Sequence, residues 1–511
     1  MNKMPPLHGA KLWFLAVAIA MATFMEILDI SITNVTIPFI AGELNVTPYR
    51  GTWVISAYAL GNSVMILLSG FLAHRFGQVR VFVISVALFV LTSGLCGLAP
   101  TFTVLIIMRV LQGMVSGPII PLSQSLLLTN FPHSKHAVAI GIWSSVNVIA
   151  PMFGPLLGGV IADFIGWRWI FYVNVPVGTF CVLTTMYLLR QRESERYKEP
   201  VNVVNFLFLF IGIGALQIFL DQGNERGWLQ SHFLIALLII SIISLSFFVL
   251  WSLTSKHPLV DLTLYARRNF AIGSLCGLIA SIAIYGGLVV YPIWLETELG
   301  YTAIWTGLAL IPFTIFLLIG IPFVTYYIEK HRLDLRVLAF LSFVIFIVSC
   351  YLSALYNTQA SFASLLLPRF IIGVALSLFF VPIILISLSG VPHNRLPRAT
   401  SLLSFQRVFG IGVGSSLGVA IMQSRQKYHY DHLLPLINNE NRCVDATLSK
   451  LQNIGFDRLQ SFAWIHDQIE HQSYMLGVND FFLAGIAFFI ILSSVIWFAR
   501  PPFLSDVGGT H

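Results

Sequence analysis

Apolar stretches of about twenty residues, each ended by a short polar connection, follow one another along nearly the whole chain, and no other feature so limits what it can fold into. The hydrocarbon core of a bilayer takes about 20 helical residues to cross. With 57% of the 511 residues hydrophobic and only 10% charged, the chain reads as an all-α integral membrane protein. Fourteen spans can be marked, at 12–39, 51–73, 80–99, 102–129, 137–162, 168–189, 203–221, 232–253, 270–296, 302–328, 335–356, 361–389, 398–424 and 479–499. The first is longer than a signal-peptide core and has no small-residue cleavage site, so it is expected to be retained.

Lys and Arg collect on the cytoplasmic side of short loops. If the N-terminus is inside, 18 of the 29 fall in inward segments, whereas short outward loops hold only Arg50, Arg168 and Arg226. Both termini are therefore expected in the cytoplasm, and the net charge of +7 reflects topology and gives no nucleic-acid signal. The five cysteines form neither a disulfide framework nor a metal-ligand spacing.

The chain repeats itself. At an offset of 260 residues, Arg109-x-x-x-Gly113 matches Arg369-x-x-x-Gly373, Pro132-His133-x-Lys135 matches Pro392-His393-x-Arg395, and Gly154 and Gly158 match Gly414 and Gly418. Repeats of like orientation predict two parallel six-helix bundles, residues 1–190 and 270–499, with two inserted helices at 203–253. Such a 6+2+6 arrangement suits a central cavity opened to alternate sides by rocking of the bundles. A long polar segment, 425–478, is expected as an extracytoplasmic loop. Its latter part, with Leu459, Phe462, Ile465 and Ile469 near helical spacing, predicts an amphipathic helix packing on the protein itself.

Ionisable residues inside spans are costly and are functional candidates by default. In the first span Glu26, Asp29, Thr33 and Thr36 form one polar stripe, with the two acids about 4.5 Å apart along the axis. Two carboxylates so placed should not both ionise easily, so at least one can bind and release a proton near neutral pH. Arg109 stays charged, and on a stripe with Gln112, Ser116 and Ser123 it can tune those acids as the bundles move or serve as a static ion-pair partner. Arg369 and Arg407 either bind an anionic substrate group or neutralise Glu26 and Asp29; we carry neutralisation forward. Thr33, Asn34, Gln112, Gln124, Asn147, Tyr285, Arg369 and Arg407 are the expected cavity residues. In the run APMFGPLLGG, Gly154 and Gly158 permit close helix contact while Pro151 and Pro155 bend the backbone. In GFLAHRFGQVR, Gly77 is expected to make a tight turn, with Arg75 and Arg80 as topology anchors. No GxxxxGK[ST] loop occurs, so the energy should come from an ion gradient.

Taken in order, LDISITNVTIP, GFLAHRFGQVR, RVLQGMVSGPIIPLSQSLL, APMFGPLLGG, GWRWIFYVNVPVG and YPIWLETELGYTAIWTGLA resemble the major facilitator superfamily, and within it the fourteen-span drug:proton antiporter family and its EmrB-type multidrug efflux subunits. The resemblance implies a proton-coupled antiporter that exports hydrophobic or amphipathic drugs by alternating access. It implies no cofactor beyond the coupling proton, a multi-pass protein of a Gram-negative inner membrane, and a membrane-fusion adaptor and an outer-membrane channel as partners. It makes Asp29 the acidic position of the first span, Arg109 the proton-coupling arginine, and Gly154, Pro155, Gly158 and Gly159 the antiporter signature, with Gly70, Arg75 and Gly77 in the gating loop. His74 stands where Asp is usual, Gln78 and Val79 where basic residues are usual, and Glu26 where an uncharged polar residue is expected. Export of an endogenous metabolite, such as a fatty acid or siderophore, is the alternative; a non-transporting scaffold would have no use for buried charges at a bundle interface.

Overall fold

The structure is a computed structural model that describes residues 9–46, 48–51, 53–132, 135–196, 202–255, 258–331, 333–437 and 442–503. Among these residues the chain is helical, with no strand. The first bundle comprises α1 (Ala10–Glu43), α2 (Pro48–Gly51), α3 (Trp53–Phe76), α4 (Gln78–Gly97), α5 (Phe102–Ser116), α6 (Ile119–Asn130), α7 (His136–Phe164), α8 (Trp169–Tyr172) and α9 (Asn174–Leu189). Then come α10 (Val203–Arg226) and α11 (His232–Thr254). The second bundle comprises α12 (Arg268–Thr297), α13 (Ala303–His331), α14 (Leu335–Ser353), α15 (Phe362–Leu388), α16 (Leu396–Leu433), α17 (Arg442–Asn453) and α18 (Arg458–Val495).

Among the described residues thirteen helical stretches are long and apolar enough to cross a bilayer, and the 29-residue α7 lies where another is expected. Burial is inverted relative to a soluble bundle. Large apolar side chains such as Leu183, Ile243 and Ile319 are more than half exposed on the outer surface, as acyl chains require, while Arg109, Asp29, Glu26 and Asn174 are buried within.

The repeat is visible in the packing. A Cβ on Gly113 would lie 2.1 Å from the carbonyl oxygen of Tyr58, and one on its register mate Gly373 would lie 2.6 Å from that of Phe313. Thus α5 closes on α3 as α15 closes on α13. Likewise a Cβ on Gly154 would lie 2.1 Å from Ser31 Oγ, and one on Gly414 2.4 Å from Ile282 O, so α7 rests on α1 as α16 rests on α12. Gly158 faces Ile32 O at 3.2 Å, but a Cβ on Gly159 would meet nothing within 4 Å, so Gly159 makes no close helix contact. The Pro155 ring lies outside the described residues.

The expected span 102–129 is one stretch, Phe102–Asn130, interrupted at Gly117–Pro118 because Pro118 has no N–H to give and its ring clashes with the carbonyl one turn earlier. One expected boundary is corrected. The segment 425–478 is largely helix: α16 runs on to Leu433, α18 begins at Arg458, and α17 lies between them. At 38 residues each, α16 and α18 are about 57 Å long, well beyond a bilayer. Hydropathy falls where the membrane ends, but with no Gly or Pro between Met422 and Leu433 the helix need not end there. Val444, Leu448 and Leu451 of α17 pack on Ile465, with Phe462 and Ile469 beside them, and Arg425 Nε and His429 Nε2 hold Asp480 Oδ2 at 2.5 and 2.8 Å.

Gly77 joins α3 to α4 at a φ of +100°, a left-handed conformation that side chains rarely adopt. The Glu193 carboxylate then accepts from the backbone N–H groups of Val79 and Arg80, both at 2.9 Å, and Ser194 Oγ accepts from that of Gln78. A carboxylate at a helix N-terminus satisfies orphan donors and complements the helix dipole. Glu193→Ala should therefore lower thermal stability by about 1 kcal/mol, read as a shift of the detergent-solubilised melting midpoint, with Glu193→Gln losing less.

Candidate functional site

Asp29 and Arg109 occupy the middle of the first bundle with 1% and 0% exposure. Arg109 Nη1 donates to Asp29 Oδ2 at 2.6 Å and to Gln112 Oε1 at 2.8 Å, and its Nε donates to the carbonyl of Val54 at 3.1 Å. The guanidinium lies 4.4 Å above the Tyr58 ring and 5.6 Å from that of Phe171. Asp29 Oδ1 accepts from Asn174 Nδ2 at 2.8 Å and from Gln112 Nε2 at 3.3 Å, and Asn174 also donates to Ser93 Oγ. The pair is thus tied to α1, α3, α4, α5 and α9.

Glu26, one turn earlier and fully buried, has a separate set of partners. Asn62 Nδ2 donates to its Oε1 at 2.9 Å and to Ser116 Oγ at 2.7 Å, while Oε2 has no hydrogen-bond partner. The acids sense each other's charge, but Asp29 alone has a guanidinium in contact. The expectation that Arg369 and Arg407 neutralise the two acids is corrected accordingly. Arg109 meets Asp29, the field of Arg407 reaches Glu26 without contact, and Arg369 belongs to another part of the second bundle.

A second feature lies between the bundles. Gln124 of α6 and Trp143 of α7 face Ser404, Gln406 and Arg407 of α16 across a narrow space floored by Phe379, Phe380 and Ile383. Mostly apolar walls with a few convergent polar groups are the usual lining of small-molecule sites. Here both amide atoms of Gln124, Ser404 Oγ and Gln406 Oε1 lack partners. Arg407 lies 4.7 Å over the Trp143 ring, and its field reaches the half-buried Tyr285.

The other predicted cavity residues are placed elsewhere. Thr33 Oγ1 donates back to the Asp29 carbonyl at 2.6 Å, because the first stripe turns into its own bundle. Asn34 is exposed, Gln112 belongs to the ion pair, and Asn147 Nδ2 is held by the Trp143 carbonyl at 2.6 Å. Asn62 and Asn174 were missed as site residues. Each is a single amide in its span with no polar periodicity around it, and only the fold carries it to an acid.

On the face that the charge count assigns to the cytoplasm the bundles touch. A Cβ on Gly70 would lie 2.6 Å from the Arg398 Cα, and Ser69 Oγ and Ser401 Oγ are 2.6 Å apart. His74 Nδ1 is 3.3 Å from Arg398 Nη2, and Asp261 Oδ2 lies 3.7 and 3.9 Å from Arg395 and Arg398. The acid missing at position 74 thus has a counterpart in Asp261, supplied by the segment before α12. Gln78 and Val79, 4% and 7% exposed, are packing residues here, and Arg75 stacks on Phe76 at 5.4 Å.

The family model described as Major Facilitator Superfamily matches residues 19–288 and 273–428. The chain is 40% identical over 503 residues to a protein of Haemophilus influenzae named multidrug export protein EmrB, covering 98% of each. To the protein of the same name in Escherichia coli it is 39% identical over 510 residues, covering 100% of this chain and 99% of the relative. To the fatty acid resistance protein FarB of Neisseria gonorrhoeae it is 37% identical over 505 residues, covering 99% of each.

Proposed function

This chain belongs to the major facilitator superfamily, and from that premise we propose that it is a proton-coupled antiporter exporting amphipathic drugs. It is a multi-pass inner-membrane efflux transporter; the proton coupling and the cargo class are our reading. The observation that carries it is the Asp29–Arg109 pair, an ionisable acid sealed inside the bundle and tied to five helices. Protonation of Asp29 removes its charge from Arg109 and loosens ties among α1, α5 and α9, while substrate enters the cavity that Gln124, Trp143 and Arg407 line from the two bundles. Coupling follows if occupation of that cavity favours the bundle geometry in which Asp29 gives up its proton.

Arg407 lines that cavity and Glu26 lies behind it, within reach of its field but out of contact. If Glu26 carries a negative charge while substrate binds, Glu26→Gln should cost cationic substrates about tenfold in apparent affinity, near 1.4 kcal/mol, while neutral ones change little. The test is substrate-induced proton movement in proteoliposomes across cationic, neutral and anionic compounds. No proton movement with any compound overturns the antiport reading, and an unchanged panel in Glu26→Gln overturns the role of that acid. The name of the FarB relative, fatty acid resistance protein, together with Arg407 in the cavity, favours a second reading in which the cargo is an anionic amphiphile; the same panel separates the two. We also assign to the chain the partners the resemblance implies, a membrane-fusion adaptor and an outer-membrane channel.

A further inference from the structure

Arg369, on α15, is 2% exposed and pairs with no carboxylate among the described residues. Its guanidinium lies 3.8 Å above the Tyr291 ring and 5.8 Å from that of Phe482, Nη2 donates to Ser353 Oγ at 3.1 Å, and Nε has no partner. Its register mate Arg109 has the same aromatic setting from Tyr58 and Phe171, but Asp29 meets its charge. The residue 260 positions after Asp29 is Val289. One repeat keeps the arginine and its aromatic neighbours and dispenses with the acid.

A guanidinium cannot shed its proton to escape burial, and an uncompensated charge at this depth costs several kcal/mol. Beside Arg369 lies an apolar slot walled by Phe346, Phe481, Phe482, Phe488, Phe489 and Leu417, in which Arg369 is the charged group among the described residues. Leu417 and Phe488, 39% and 40% exposed, bring its rim to the apolar outer surface, where acyl chains reach it. This space shares no lining residue with the cavity between the bundles. An apolar slot open to lipid and ending in an unpaired buried guanidinium has the chemistry of one acyl chain and one anionic headgroup.

We propose that the second bundle binds a single-chain anionic amphiphile, its carboxylate or phosphate on Arg369 and its chain in the phenylalanine-lined pocket. A guanidinium fork accepts either headgroup. The site is independent of proton coupling, so its test reads binding and needs no transport.

Delipidated full-length protein in an uncharged detergent is titrated with a fluorescent polyunsaturated fatty acid and with its methyl ester. The acid should bind at one equivalent and the ester at least about tenfold more weakly, the loss expected for one charge-assisted contact. Arg369→Gln should weaken the acid by a similar factor, Arg369→Lys by less, and Ala484→Phe, which fills the pocket, should block both probes, while Arg226→Gln, at an exposed position that lines neither cavity, leaves binding unchanged. Displacement by unlabelled palmitate or by palmitoyl lysophosphatidate supports the site, and the tighter competitor tells whether a free acid or a membrane phospholipid is its source. Equal binding of acid and ester by the unmodified protein, retention in Arg369→Gln, loss in Arg226→Gln alone, or displacement by neither competitor overturns the proposal.

Discussion

Asp29→Asn should abolish substrate-driven proton release in proteoliposomes. The substitution keeps the side chain's shape and one acceptor oxygen for Asn174 or Gln112, but it removes the charge that Arg109 Nη1 meets at 2.6 Å. Removing one partner of a buried pair costs about 3–5 kcal/mol, because the survivor stays charged and unpaired. Proton coupling should fall to background, on the order of a hundredfold or more below the unmodified protein, and the melting midpoint should fall with it. Adding Arg109→Gln separates the two effects. The double variant removes the stranded cation and should recover stability, yet it has no acid to titrate and should stay uncoupled. If Asp29→Asn kept full proton release, Asp29 would be a structural counter-ion and the coupling acid would lie elsewhere, with the fully buried Glu26 the next to test.

Much of this site was legible before the fold, for reasons particular to membranes. A charge within an apolar span is expensive, so Asp29, Glu26, Arg109, Arg369 and Arg407 stand out against their neighbours, and the 260-residue offset pairs two of the arginines. Which acid faces which arginine was not legible. Partner choice depends on how α1 is set against α7 and α9 and how α5 is set against α3, and close approach at those contacts passes through Gly154 against Ser31, Gly178 against Met25 and Gly113 against Tyr58. Asn62, Asn174 and Asp261 were illegible for the complementary reason: a lone polar residue in a span or a loop has no periodic signature, and its role exists only in the assembled bundle. The helices beyond the membrane were read as loop because hydropathy reports the lipid and not the backbone. In α16 the polar run from Arg425 to Leu433 continues the helix without interruption.

The repeat supplies a second large effect with its own control. In Gly113→Val the new Cβ would lie 2.1 Å from Tyr58 O, 2.9 Å from its carbonyl carbon and 3.1 Å from Asn62 N, all backbone atoms that cannot rotate away. Relief requires α5 to move from α3, and α3 carries the Val54 carbonyl that orients Arg109, the Tyr58 ring beneath it and the Asn62 amide on Glu26. Overpacking of this kind costs about 1–3 kcal/mol and more where backbone must shift. Gly373→Val makes the matching intrusion in the second bundle, 2.6 Å from Phe313 O, where among the described residues no acid–arginine pair depends on the contact. Both variants should lose stability, measured as melting midpoint, by amounts within about twofold of each other. Per folded molecule, Gly113→Val should lose most of its proton coupling and Gly373→Val should keep most of it. Equal loss of coupling in the two would mean that the first bundle's network matters only through overall packing, and the Asp29–Arg109 assignment would lose its geometric support.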